Sequence, residues 1–166
     1  MDADGEDAID RILAQWGRER PELDVAAMGL FGRLGRVGSH VAREIETVLT
    51  SCGVNSSSFD VLATLRRAGA PYRLSPSALL ATMMVTSGTM TNRIDQLEKQ
   101  GLVARVANPE DRRSLLIALT QKGLAVADRA VNAHNDNLAR LADPLLPEER
   151  ARLDELLKKF LRSFEG

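Results

Sequence analysis

Apolar residues recur every three or four positions along most of the chain, a pattern that predicts a largely helical protein. The first such segment runs from Asp7 to Arg20, and a second runs from about Val25 to Thr50. Glycines stand at every third position of the second segment, from Gly29 to Gly38. We expect these glycines to let another helix approach closely, and a break in the helix between them is the alternative.

The middle of the chain is predicted to form shorter elements. A helix is expected over residues 56–68, with N-cap candidates from Ser56 to Ser58. Ser75 then caps a short helix that begins at Pro76 and ends near Thr82, because proline at the first helical position loses no hydrogen bond. Both helices therefore begin at residues that favour a helix start.

A turn over residues 83–85 leads to a second helix that Thr86 caps and that ends at Gly101. Two helices in this order, joined by so short a turn, predict a helix-turn-helix. In that motif the second helix lies in the major groove of DNA.

Two short apolar segments follow, Leu102 to Ala107 and Leu115 to Leu119, and they predict a β-hairpin. The charged loop between them, Asn108 to Arg113, would be the tip of a wing. Helices are expected from Thr120 to about Ala142 and, beyond two prolines, through Phe164. The fold class is thus mostly α with a small β-wing, a winged helix-turn-helix.

Charge and composition narrow the function. The net charge is −1, but residues 73–113 carry a local excess of two positive charges, which suits a sequence-specific DNA binder. The single cysteine, Cys52, favours a reducing compartment. No apolar run is long enough to span a membrane, and the acidic first ten residues differ from a secretory signal. We therefore expect a cytoplasmic protein.

The face of the 86–100 helix opposite its apolar side holds the candidates for DNA contact. Asparagine and glutamine can bind adenine bidentately, whereas lysine binds phosphate. These residues are Ser87, Thr89, Asn92, Gln96 and Lys99. At the wing tip, Arg112 and Arg113 are candidates for the minor groove, and Asp111 could orient Arg113.

The sequence from Asn108 to Ser114, together with Leu119, Thr120 and Gly123, resembles the wing signature of MarR-type transcriptional regulators. The segment from Thr86 to Val103 resembles their recognition helix. The resemblance covers essentially the whole chain and implies one MarR-like domain over 1–166. Residues of about 1–50 and 120–166 would form the dimerisation helices, and about 54–119 the winged helix-turn-helix. It also implies a homodimer on a palindromic operator in double-stranded DNA, with Arg113 in the minor groove and Asp111 as its orienting partner.

An N-terminal helix with a tryptophan resembles the urate-responsive branch of that family. The resemblance implies a ligand-sensing set formed by Trp16, Asp60, Arg93 and Arg105. On the helical wheel Arg93 leans back toward the body of the protein, which fits an internal partner such as Asp60. A small anion, urate or another organic acid, would then release the repressor from DNA.

Other functions are less well supported by the residues. One alternative is a constitutive DNA-binding regulator without an effector, and another is a redox-responsive regulator acting through Cys52, although no lysine or arginine stands near that cysteine in the sequence. Loss of DNA binding in favour of protein interaction conflicts with the presence of Asn92, Gln96 and Arg113. No metal-binding spacing, phosphate loop, cofactor motif or nucleophile motif is present, and the only histidines are His40 and His134, so we expect no enzyme.

Overall fold

The structure, a computed structural model, describes residues 5–83, 86–111 and 113–165. In chain order its helices and strands are α1 (Ala8–Glu19), α2 (Ala26–Ser51), α3 (Ser56–Arg67), β1 (Arg73–Leu74), α4 (Pro76–Met83), α5 (Ser87–Lys99), β2 (Val103–Ala107), β3 (Leu115–Leu119), α6 (Gln121–Ala142) and α7 (Pro147–Glu165). The predicted class, mostly α with a small β-wing, is confirmed.

Contacts divide the chain into two compact units, Met1–Glu44 and Ile45–Gly166. Helix α2 begins in the first unit and ends in the second, and it continues without a break through its four glycines. The alternative of a broken helix is therefore wrong. That the whole chain forms one domain stays a prediction.

In the first unit, α1 packs on α2 at two of the glycines. A Cβ on Gly29 would lie 3.0 Å from Cδ1 of Leu13, and a Cβ on Gly32 would lie 3.0 Å from Cδ1 of Ile9. The expected close approach of a helix is confirmed at these two positions. Asp7 caps α1 by accepting hydrogen bonds from the amides of Ile9 and Asp10, at 2.7 and 2.9 Å.

The second unit holds the main core. Residues of α3, α4, α5, the hairpin and α6 form one cluster around the fully buried side chains of Leu62, Leu65 and Leu97. Asn55 caps α3 by accepting from the amide of Ser58 at 2.8 Å, so the expected caps at Ser56 to Ser58 are wrong. The serines instead form the first turn, because the asparagine before them already supplies the oxygen that caps the helix.

Three antiparallel strands form a sheet in the order β1, β3, β2. The hairpin pairs Val103 with Leu119 and Ala107 with Leu115, close to the predicted segments. Strand β1 was not predicted, because two residues carry no periodicity and this strand exists only through its pairing with β3. Met83 belongs to α4 rather than to the predicted turn, and residues 84 and 85 of that turn lie outside the described residues.

Helix α7 is amphipathic, yet none of its described side chains is buried. Five large apolar residues on it are exposed, namely Leu153, Leu156, Leu157, Leu161 and Phe164. In the first unit, α1 and α2 expose another apolar group, which includes Ile12, Trp16, Leu30, Phe31, Leu34 and Val37. Among the described helices none is long and apolar enough to cross a membrane.

Candidate nucleic-acid interface

Helix α5 is fixed at both ends by the residues that predict it. The hydroxyl oxygen of Thr86 accepts from the amide of Thr89 at 3.3 Å, and Gly101 ends the helix with a φ of 71°. Met90, Ile94 and Leu97 are at most 2% exposed, which confirms the predicted buried face. The opposite face of α5 is therefore turned away from the core.

That outward face carries most of the predicted DNA contacts. Thr89, Asn92, Gln96 and Lys99 are all exposed. The side-chain amide of Gln96 lies 3.5 Å from the Oδ1 of Asn92, so two groups suited to base edges stand side by side. The structure brings these four residues together on one surface, whereas the side chain of Ser87 lies outside the described part of the chain.

The wing tip is organised by short-range hydrogen bonds. Oδ1 of Asp111 accepts from the backbone amide of Arg113 at 3.0 Å, and the backbone carbonyl of Asp111 accepts from the amide of Ser114 at 3.0 Å. Asn108 donates from Nδ2 to the hydroxyl of Ser114 at 3.0 Å. Asp111 thus orients the backbone of the exposed Arg113. Arg112 lies outside the described residues.

Arg105, predicted as a ligand contact, already binds two carboxylates of α5. Its Nη2 donates to Oδ1 of Asp95 at 2.6 Å, and its Nη1 donates to Oε2 of Glu98. The backbone amide of Arg105 also donates to Oε1 of Glu98 at 3.2 Å. The pKa of Arg105 is raised above its ordinary value, chiefly by the hydrogen bond to Asp95.

This bridge between β2 and α5 is the feature that sequence reasoning missed. Two acids spaced by three residues lie on one side of a helix, and the strand that follows α5 passes back along it. The sequence signal for this bridge was an arginine on the strand that directly follows a helix with two acids on one side.

Asp60 and Arg93 form a second charged group, between α3 and α5. Asp60 is exposed, and partial desolvation raises the pKa of its carboxyl, while the charges of Arg93, Arg67 and His134 act in the opposite direction. Nη1 of Arg93 is buried and has no hydrogen-bond partner in the described part of the chain. Arg93 therefore faces inward, as the helical wheel predicts, and its charge acts on Asp60.

Trp16, the remaining member of the predicted sensing set, belongs to the first unit and is 40% exposed. Asp60, Arg93 and Arg105 belong to the second unit, where Arg105 is engaged by Asp95 and Glu98 rather than by Asp60. That all four residues share one ligand site stays a prediction.

Cys52 is 6% exposed and packs in the core of the second unit. Arg129 donates from Nη2 to the backbone carbonyl of Cys52 at 2.8 Å, a contact with the main chain rather than with the thiol. The two residues are 77 positions apart, so the sequence could not show this contact. The burial of the thiol limits its access to oxidants.

Known proteins share both the sequence and the fold. The MarR family model matches residues 54–115. The HTH-type transcriptional regulator PecS of Dickeya dadantii is 40% identical over 149 residues, which cover 90% of this chain and 90% of that protein.

Two solved structures resemble this one along most of their length. A mutant MarR from E. coli complexed with operator DNA has a TM-score of 0.68 and 27% identity, and the match covers 94% of this chain and 99% of that one. AbsC, a MarR family transcriptional regulator from Streptomyces coelicolor, has a TM-score of 0.74 and 25% identity, over 87% of this chain and 97% of that one. These relatives are transcriptional regulators, which confirms the prediction that the chain is not an enzyme. The chain belongs to the MarR family of winged-helix transcriptional regulators.

Proposed function

We propose that this regulator is a homodimeric repressor that reads a palindromic DNA operator and is released by a small organic anion. The observation that carries the DNA-binding part is the outward face of α5. It presents Asn92 and Gln96 side by side, with Lys99 one turn from Gln96 for a phosphate. The similar MarR structure from E. coli is a complex with operator DNA, which supports the same use of this fold.

The wing adds the second contact of the proposal. Arg113 stands exposed on a tip whose backbone is held by Asp111 and Ser114. An ordered tip lowers the conformational entropy that an arginine loses on entering a minor groove. Arg113 is therefore assigned to the minor groove, and Arg112 is assigned to the neighbouring backbone from the sequence alone.

The dimer is supported by the apolar residues that the single chain leaves exposed. Helix α7 exposes Leu153, Leu157 and Phe164, and the first unit exposes Phe31 and Val37. Large contiguous apolar surfaces are rare on monomers and typical of permanent interfaces. A second copy of the chain is the partner that a palindromic operator requires, because the two-fold symmetry of protein and DNA then coincide.

The effector part of the proposal depends on Asp60 and Arg93. An anion bound near Asp60 would raise the energy of its carboxylate and weaken its attraction for Arg93. Since Arg93 is on α5, a change in that pairing would alter the position of the recognition helix. Trp16 is proposed to stack on the flat ring of the ligand, and urate is one candidate among several aromatic and carboxylic anions.

A gel-shift titration on the DNA upstream of the protein's own gene tests the DNA-binding part. Arg113→Ala is expected to weaken binding by about 1–3 kcal/mol, because one groove contact is lost from each wing. Arg18→Ala, which removes an exposed arginine of α1, is the matched control and should leave affinity unchanged. Equal affinities of the two variants would refute the role of the wing. A footprint of two half-sites about one helical turn apart is expected for the dimer.

The effector part has its own readout. Urate and a panel of organic anions are titrated into the protein–DNA complex, and thermal shifts are measured on the free protein. Trp16→Ala is expected to keep DNA binding and to lose most of the anion-induced release of DNA. Trp16→Phe should retain part of that release. If no anion stabilises the protein or releases DNA, the regulator acts without such an effector, and the DNA-binding proposal is unaffected.

A further inference from the structure

Helix α5 carries two acidic side chains next to its DNA-facing side, where they turn toward β2. Its four charged residues are Arg93, Asp95, Glu98 and Lys99. Arg93 is turned inward, with its Nη1 buried, so its charge acts on Asp60 rather than on DNA. Of the remaining charges two are acidic and one is basic. Taken alone, these three charges sum to −1, which disfavours the approach of α5 to phosphates.

The two acids stand beside the residues proposed to read DNA. Asp95 is three residues from Asn92 and four from Lys99, and Glu98 is three residues from Asp95. Side chains three or four positions apart on a helix have Cβ atoms about 5–6 Å from each other. The side chains of Asp95 and Glu98 are 44% and 38% exposed. Solvent therefore screens their charges only in part, and the protein does not shield them from a bound phosphate.

Arg105 supplies the missing positive charge from outside the helix. One guanidinium binds both carboxylates, and the backbone amide of the same residue adds a further hydrogen bond to Glu98. We propose that Arg105 is a charge-masking residue: its single positive charge is shared by Asp95 and Glu98 and, together with Lys99, balances their two negative charges, so that the reading face of α5 can approach the phosphates of DNA. Arg105 is thus a positioning residue that acts through α5 without itself touching DNA. This inference rests on the proposed DNA-binding function.

A purely mechanical role is the competing explanation, because the same bridge ties β2 to α5. The two roles predict opposite results when the acids rather than the arginine are removed. Asp95→Asn with Glu98→Gln breaks the ion pairs but leaves Arg105 as an unopposed positive charge. Charge masking then predicts DNA binding that is as tight as in the original protein or tighter. A mechanical strut predicts weaker binding.

The experiment measures affinity for one operator fragment over a range of salt concentrations in four full-length proteins. They are the original chain, Arg105→Gln, the double variant Asp95→Asn with Glu98→Gln, and the triple variant with all three changes. Arg105→Gln is expected to bind about tenfold more weakly per dimer at low salt, because each protomer then carries one more unbalanced negative charge beside the phosphates. The difference should shrink as salt rises from about 50 to 300 mM, because screening shortens the range of the repulsion.

The triple variant separates charge from folding. It lacks the bridge and also the repulsive charges, so masking predicts affinity within about threefold of the original chain. Weak binding by the double or the triple variant would overturn the inference, and so would unchanged binding by Arg105→Gln. Far-ultraviolet circular dichroism of each variant checks that the helices are retained. If the original chain itself binds no operator, the proposed function fails, and that result is distinct from any difference among the variants.

Discussion

A single methyl group at Gly123 should disturb the junction between the reading head and α6. Gly123 lies in the first turn of α6, and its amide donates to the hydroxyl of Thr120 at 2.9 Å. A Cβ at this position would stand 1.8 Å from the carbonyl oxygen of Leu102, 2.8 Å from its carbonyl carbon and 3.2 Å from its Cα. All three are backbone atoms, so no rotamer change can relieve the overlap.

The size of the effect follows from how Leu102 is held. Real Cβ contacts essentially never fall below 3.0 Å, so the carbonyl would have to move by more than about 1 Å. That carbonyl accepts from the amide and the hydroxyl of Thr120, at 3.1 and 3.3 Å, and Leu102 itself is 4% exposed. Overpacking lowers the free energy of unfolding by about 1–3 kcal/mol. We expect Gly123→Ala to lie near the upper value, because the atoms that would have to move belong to the backbone. The better helix propensity of alanine returns at most about 1 kcal/mol.

Urea unfolding followed by circular dichroism measures this difference. Gly17→Ala is the matched control, because its Cβ would meet no atom within 4 Å and α1 should gain about 0.5–1 kcal/mol. Both variants are compared at one protein concentration, since a dimer's stability depends on it. Weaker DNA binding by Gly123→Ala is also expected, because Leu102 directly follows the turn that ends α5. An unfolding midpoint equal to that of the original chain would refute the reasoning.

Two smaller perturbations test how α1 is held on α2. Hydrogen bonding to Arg33 lowers the pKa of Asp7 to about 2, so the carboxylate stabilises the fold above its unfolded pKa of about 4 and loses that contribution as the pH falls toward 2. Asp7→Asn should therefore unfold earlier in urea than the original chain at pH 7, and the two should converge near pH 2. A Cβ at Gly32 would meet only side-chain atoms of Ile9, and the nearest is the terminal Cδ1 at 3.0 Å. Gly32→Ala should therefore change the urea midpoint far less than Gly123→Ala, and an equal loss would contradict this view of the contact.

The elements that the sequence predicts well are those whose signals are local. Thr86 and Thr120 each cap the helix that follows, and Gly101 takes the positive φ that ends α5. A cap or a turn depends on neighbours within three or four residues, so the pattern of side chains contains the necessary information. The prediction of the wrong cap for α3 also reflects local signals. Several polar residues in a row can each cap a helix, and the backbone conformation selects Asn55.

The sequence could not predict contacts between residues that lie far apart along the chain and meet only through tertiary packing. Strand β1 forms because Arg73 and Leu74 meet β3 more than 40 residues later. The site shows the same limit. The outward face of α5 could be predicted from the period of its apolar residues, whereas the engagement of Arg105 depends on how β2 passes along α5. A charged residue can be assigned to a helix face from sequence, but its partner requires the path of the other chain segment.

The two arginines first assigned to one ligand site therefore act on α5 in different ways. The charge of Arg93 on α5 acts on Asp60 of α3, whereas the guanidinium of Arg105 on β2 binds Asp95 and Glu98 on α5. Asp95 lies about 200° around the helix from Arg93, so the two links act on nearly opposite sides. A ligand that weakened only the link to Asp60 would leave the other as a pivot. Under this view α5 would tilt rather than detach, and the charge balance beside Asn92 and Gln96 would be preserved while their position changed.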